Sequence, residues 1–397
     1  MSAADIAATP KFSLAERDRR WAKLRALMRK EGLDVIVVPP HTGHHDHFSA
    51  NARYLTGFGG YSLEVGAVFP LEGNVTAVTV PDVAPTKWRA QQDWVDDIRS
   101  TGRAFGDGLI ARLKELRLSK AKIGIAGWSN VPRFEDGLLP QPLYAKLVAE
   151  FPGTALVDAT RVLDRARYAK SDEEIEFLRC STALAEAAIK AMQNIARPGI
   201  TEAAVYAAML AAMVERGGEV PAMIMWSAGT GEALASAGPP LLRPLAAGDI
   251  LRVEVEGRYA GYCGQVTQMA MLGALPAVYR DFWRLQQDAL QACNEAMRPG
   301  ITLGELAART TAVAKGTPCK IKFLMHGRGL GDDAPIYVFN APDDIQQWLV
   351  EENASFIAKP VVSRDGYPDI MWGDSIVVTS RGPERLGTMA PEFTELG

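Results

Sequence analysis

Between Ser13 and Gly32 the apolar residues Leu14, Trp21, Leu24 and Met28 recur at helical spacing. Ser13 and Glu16 make the S-x-x-E pattern of a capping box, and Gly32 supplies a stop, so this stretch predicts a helix. An unbroken apolar run, DVIVVPP, follows and reads as a buried strand. VGAVFP and NVTAVTVP, joined through LEGN, predict a hairpin. Next come a predicted helix over 105–118, the strand KIGIAG, a helix over 140–151 and the strand ALVDAT. Helices alternating with strands predict an α/β domain over residues 1–165.

At AKSDEEIEFLRC the texture changes. Ser171 and Glu174 form another capping box and open a long helix through Ala191, so a second domain is placed over 166–397. It contains a repeat: IARPGITEAAVYAA and AMRPGITLGELAAR share RPGIT, beginning at Arg197 and Arg298. Pro and Gly end one helix and Thr caps the next, with Thr302 and Glu305 forming a box. RPGIT alone is a generic helix-turn-helix signal. Each copy, however, sits between a long helix and a helix leading towards strands. This predicts two similar halves in a pseudo-symmetric α+β domain, with the site between the halves. GDILRVEVEGRYAGYCGQVTQMAML predicts two antiparallel strands around a GRYAG turn. CKIKFLMHG predicts a strand running into His326, and ASFIAKPVV and DIMWGDSIVVTSRG complete the set.

The 397 residues leave room for two cores, and 48% apolar with 23% charged residues is the balance of an ordinary globular protein. A net charge of -4 gives no reason to expect nucleic acid or an anionic membrane as partner. No apolar run approaches bilayer length, and MSAADIAATPKFSLAERD lacks the basic and apolar regions of a signal peptide. Cys180, Cys263, Cys293 and Cys319 share no metal-binding spacing, which suits reduced thiols in a cytoplasmic protein.

Four of the five histidines crowd into HTGHHDHF: His41, His44, His45 and His47. Three readings stand side by side: an exposed polar loop, a new metal site, or a lid whose histidine acts as acid or base near neutral pH.

NARYLTGF, KSDEEIEFLR, RPGIT, GDILRVEVEG, GYCGQVTQ, HGRGLG and IVVTSRG, in that order, resemble the creatinase / aminopeptidase P / prolidase family, the pita-bread fold. The glycine spacing of HGRGLG faintly suggests a phosphate loop, but the context of a dinucleotide site is missing. The resemblance implies a creatinase-like N-terminal α/β domain and an α+β pita-bread catalytic domain with a pseudo-twofold internal repeat. It also implies a homodimer in which one subunit's N-domain helps close the other's site.

Metallopeptidases of that family hold two metal ions with Asp, Asp, His, Glu, Glu. Carried over by resemblance, the first Asp falls on Glu254 and the second on Gln265 or its neighbour. The His falls on His326, the first Glu on Lys359 and the last on Gly373. A second family histidine is replaced by Asp333. An ammonium repels a metal and cannot ligate it while protonated. The expectation is therefore no metal and no other cofactor, with Lys359 as a built-in cation able to pair with Glu254 or Glu256. Creatinase and ectoine hydrolase also work without metal. Glu254 lies in a stretch similar to one that holds a Glu in ectoine hydrolase, whereas Ala237 stands where creatinase has its catalytic histidine.

Glu254, His326 and Lys359 are the candidate catalytic residues. A carboxylate, an imidazole and an ammonium in one cleft can remove a proton, stabilise an oxyanion and protonate a leaving group. Alternatively, Glu254 and Lys359 are a salt-bridged remnant that only holds the fold. Candidate substrate contacts are His44, His45, His47, Tyr61, Trp226, Glu256, Arg328, Asp333 and Trp372. Trp226 and Trp372 lie where the family contacts substrate. Met223, Met225, Phe323, Met325 and Met371 beside the site are mostly core candidates. Arg328 and Asp333 are either polar anchors or solvated loop charges. Such walls suit a planar or aromatic small molecule. The leading reading is a metal-independent lyase working by proton abstraction with elimination or C–C cleavage. Behind it stand a metal-independent C–N hydrolase, a non-catalytic binding protein and, last, an Xaa-Pro metallopeptidase.

Overall fold

The computed structural model describes residues 10–40, 50–59, 64–80, 93–117, 121–129, 131, 136–221, 223–234 and 237–397. These divide into two compact units, 1–168 with 330–333, and 169–329 with 334–397. Among the described residues, no helix is long and apolar enough to cross a membrane. The four cysteines are free thiols. His41, His44, His45, His47 and Tyr61 lie outside the described residues.

In the first unit, helix α1 (Leu14–Glu31) starts at Ser13, whose Oγ accepts the Glu16 N–H at 3.1 Å, and stops at Gly32 with φ 64°. Only this half of the expected box carries the cap. The Glu16 carboxylate turns instead to Arg19 and Arg20. The buried stripe is also rotated from the expected one: it runs Glu16, Arg20, Leu24, Met28, while Leu14 is exposed. Arg20 accounts for this, since its guanidinium lies 4.3, 4.7 and 5.1 Å from the rings of Phe12, Tyr54 and Trp94. The strands β1 (Val35–Val38), β2 (Val65–Pro70), β3 (Thr76–Thr79), β4 (Asp97–Ser100), β5 (Lys122–Ile125) and β6 (Ala155–Asp158) form one sheet in the order β4-β3-β2-β1-β5-β6. Its centre, β1, is buried along its whole length, as its VIVV run requires. β2 and β3 are the expected hairpin, with Val65 opposite Thr79.

The second unit opens with helix α2 (Asp172–Ile195), capped by both halves of the Ser171–Glu174 box. It runs past Ala191 because nothing in AMQNI breaks it before Pro198. The two RPGIT copies are the same device in three dimensions. Gly199 has φ 91° and Gly300 φ 93°, while Thr201 and Thr302 each cap the following helix.

Strands β7 (Ile224–Gly229), β8 (Ile250–Tyr259), β9 (Tyr262–Leu272), β10 (Lys320–Lys322), β11 (Leu324–Arg328), β12 (Asp332–Val338), β13 (Ser355–Ala358), β14 (Val361–Arg364), β15 (Tyr367–Met371), β16 (Gly373–Thr379), β17 (Gly382–Arg385) and β18 (Phe393–Leu396) follow. The main sheet runs β12-β11-β13-β16-β9-β8-β7, with β17 on β16 and β18 on β9. β8 and β9 turn through Ala260 and Gly261, both at positive φ, the signature of a tight hairpin. Gly257 and Gly264 pair across this hairpin under α2, where an added Cβ would lie 2.0 Å from Ser181 O or 2.4 Å from Thr182 N. Three strands expected to be continuous are broken, ASFIAKPVV among them: it divides at Lys359 and Pro360 into β13 of the main sheet and β14 of a separate one. CKIKFLMHG divides at Phe323, so β10 joins a separate sheet β10-β14-β15 while β11 joins the main one. DIMWGDSIVV divides in the same way at Trp372.

Candidate functional site

Strand register places the site. Met225 lies opposite Glu254, Glu254 opposite Thr267, Glu256 opposite Gln265 and Thr267 opposite Gly373. On the other side of β16, Ser375 lies opposite Ile357, and Ile357 opposite His326. Lys359 is two residues beyond Ile357, and its N–H donates to Leu324 O at 3.0 Å, extending that ladder by one residue. Partners across a ladder, and residues two apart along a strand, share a face. Glu254, Glu256, Gln265, His326, Arg328 and Lys359 therefore project from one face of the main sheet. All are buried, Glu254 at 6% exposure and Lys359 at 3%.

Four charges on this face cancel in two pairs. Lys359 Nζ donates to Glu254 Oε2, and Arg328 Nη2 donates to Glu256 Oε1. Gln265 Nε2 also donates to Glu254 Oε2, at 3.0 Å. Arg328 Nε donates to Cys263 O at 3.0 Å, fixing the guanidinium against β9. The imidazole Nδ1 of His326 lies 3.4 Å from Gly327 O. Gln265 is locked by Ser375, whose Oγ accepts the Gln265 N–H at 2.8 Å and donates to its carbonyl at 3.0 Å. Lys359 thus selects Glu254, not Glu256. Arg328 is a buried ion-pair partner and not a solvated loop charge.

Four expected contacts lie elsewhere or act differently. Trp226 pairs with Val253 in register, so it projects from the opposite, helix-facing side and belongs to the apolar core there; its Nε1 donates to Glu202 at 2.8 Å. Trp372 is buried, donates to Gln268 Oε1 at 3.1 Å, and stacks 5.1 Å from the Arg385 guanidinium. Parity decides both cases, because the residue next to a face-lining position points away from that face. Met225, 37% exposed and directly opposite Glu254, is a partly exposed apolar side chain on the site face. Asp333 is ion-paired with Arg167, which also donates to Asn51 Oδ1 at 2.6 Å. Glu256 is present on the face, but as the partner of Arg328.

Asp164 stands in the electrostatic field of Arg167 and Asp333. Burial pushes its carboxyl up to about 7, with Arg167 and Arg161 offsetting part of the cost. A carboxyl raised on folding contributes stability that is intact below its unfolded value and is lost as pH rises through about 7. Asp164→Asn is therefore expected to match the wild type near pH 4 and to exceed it at pH 8, by roughly 4 kcal/mol at most. Urea unfolding at the two pH values checks this. A wild type-to-variant difference that does not grow with pH contradicts it.

The donor set on this face does not suit the metals that the family resemblance implies. Glu254 and Glu256 are each neutralised by a bonded cation, and Lys359 has no lone pair to offer. Among the described residues, no group of three or more His, Cys, Asp or Glu is placed to hold a metal ion. The residues on this face do not fit a two-metal centre. The buried thiols add no ligand: burial pushes Cys293 up to about 12 and raises Cys263 as well.

Residues 176–380 match the model of metallopeptidase family M24, and residues 20–169 match the creatinase/prolidase N-terminal domain. The dimethylsulfoniopropionate lyase DddP of Roseobacter denitrificans is 25% identical over 249 residues, covering 59% of this chain and 55% of that protein. A probable dipeptidase, PepE, of Mycobacterium bovis is 28% identical over 332 residues, 79% of either chain. Among solved structures, an Xaa-Pro dipeptidase from Bacillus anthracis superposes with a TM-score of 0.77 at 20% identity, over 96% of this chain and 100% of that one.

Proposed function

The chain belongs to metallopeptidase family M24 and carries a creatinase/prolidase N-terminal domain, and from that premise we propose a metal-independent enzyme that acts on a small, largely apolar or aromatic molecule by acid/base catalysis, as a lyase. The observation that carries the proposal is the buried Glu254–Lys359 pair, which occupies the place where a metal would need anionic donors. Glu254 is the base. It takes a proton from carbon and becomes neutral, which leaves the Lys359 ammonium it had balanced as a free positive charge beside the substrate. Lys359 and His326 stabilise the charge that develops on the substrate as the leaving group departs. The proton goes to Glu254 and the electron pair to the new double bond, so no external reductant or water is needed. Gln265, bonded to Glu254 and locked by Ser375, holds the carboxylate in place. One of the relatives named above is a lyase, which supports this reaction class. The enzyme works as a homodimer on a small-molecule substrate.

Two measurements on one preparation test the reading. Elemental analysis of tag-free protein purified without chelator is expected to find less than about a tenth of an equivalent of transition metal. Turnover of small apolar and aromatic acids and amides in ¹⁸O-water is expected to leave the products unlabelled. Label in the product replaces elimination with C–N hydrolysis. One or two tightly held metal equivalents, with activity lost to chelator, overturn metal independence altogether.

A further inference from the structure

Arg252 stands two residues before Glu254 on β8 and therefore on the same face, opposite Ser227 and Met269. A guanidinium carries five N–H donors and no acceptor. Here the side chain makes one hydrogen bond, from Nη2 to Leu234 O at 2.6 Å. Two carboxylates are close enough for their fields to reach it, Glu254 and Asp369. Both are engaged elsewhere: Glu254 is bonded to Lys359, and Asp369 lies 3.0 Å from Lys322. Among the described residues, Arg252 has no carboxylate within ion-pair distance.

The face thus holds two neutralised pairs, Glu254–Lys359 and Glu256–Arg328, and one cation left over. Burial holds the Arg252 guanidinium below its ordinary value, with Glu254 and Asp369 offsetting part of that cost. It stays charged at any working pH. A partly buried cation with unused donors gains most from a planar anion that accepts two N–H bonds at once. Met225, opposite Glu254 and partly exposed, offers an apolar surface beside it.

We propose that Arg252 is a specificity-determining residue that binds a carboxylate of the substrate, holding the molecule's apolar part against Met225 and its reacting carbon at Glu254. The proposal rests on the reading of this face as the substrate site and adds the charge of the substrate to it. Arg252 positions and does not take part in proton transfer.

The test is binding, so it needs no turnover. The probes are 3-phenylpropanoate and its neutral isostere 3-phenylpropanamide, titrated calorimetrically into the full-length protein. Wild type is expected to bind the carboxylate about tenfold tighter than the amide. Arg252→Gln is expected to lose that preference while keeping its affinity for the amide, and Arg252→Lys to keep part of it. Met225→Glu is expected to weaken both probes. An Arg252→Gln protein that retains the preference, with Met225→Glu still weakening both probes, overturns the role of Arg252 alone. Insensitivity of both probes to both variants, or no binding of either at millimolar concentration, overturns this face as the binding site as well.

Discussion

Lys359→Met is expected to destabilise the protein by about 3–5 kcal/mol, because it leaves the Glu254 carboxylate buried beside the side chain that neutralised it. The attraction between the two charges is not the source of that number. Both groups are almost fully buried, and the desolvation already suffered by Glu254 loses its compensation. Glu254→Gln is expected to cost a comparable amount, since it strands the ammonium instead. The double variant Glu254→Gln/Lys359→Met is expected to recover most of the loss, because neither charge then remains to be buried. Urea unfolding of the four proteins gives the coupling directly. The sign with pH follows from the same physics. Without Lys359, the folded-state carboxyl of Glu254 rises above its unfolded value, so the deficit of the single variant shrinks as pH falls towards the ordinary carboxylate range. Single variants within about 1 kcal/mol of wild type, with an additive double variant, would show that the two groups are not coupled.

How much of this was legible in the sequence depends on how local each signal is. The Ser171–Glu174 box, the two RPGIT turns and the Ala260–Gly261 hairpin are written in a few adjacent residues, and the structure forms them as read. The capping box at Ser13 is half formed, because Arg19 and Arg20 compete for Glu16 through contacts no spacing rule contains. The shared face of Glu254 and Glu256 follows from alternation along one strand. Trp226 and Trp372 neighbour family positions in the sequence, yet neighbouring positions on a strand point to opposite faces. Catching that needs the register, and the register is interrupted at Phe323 and Trp372 in ways a hydrophobic pattern does not mark. The Arg328–Glu256 pair joins residues far apart in the chain and was invisible for that reason. Arg252 was within reach, since two residues before Glu254 is the same side of the strand. The signal was there in LRVEVEG, but an arginine beside an apolar run reads first as a solvated edge.

The misfit of this face to a metal involves the backbone as well as the side chains, and Gly373→Ala is expected to show it. An added Cβ there would lie 2.5 Å from Lys359 Cβ, 2.6 Å from Ala358 O and 3.0 Å from Lys359 Cα. These are not the far ends of flexible side chains, so they cannot swing aside. The segment carrying Lys359 has to move, and its ion pair with Glu254 moves with it. Overpacking of this kind costs about 1–3 kcal/mol or more, and the upper end is expected here. Gly238→Ala is the control, since nothing lies within 4 Å of its Cβ position, and it is expected to stay within about 0.5 kcal/mol of wild type. A stronger test puts carboxylates at the two positions the family resemblance points to, in Lys359→Glu/Gly373→Glu. The Cβ of the new residue at 359 and the carbonyl of Ala358 still fill the space, so the donors are present in number but not in place. Millimolar Mn²⁺ or Zn²⁺ is therefore expected to leave the Tm of this double variant unchanged, whereas a metal bound at a hundred times its Kd would add about 2.7 kcal/mol. A metal-dependent rise of several degrees in that variant, absent from wild type, would mean that side chains alone separate this face from a metal centre.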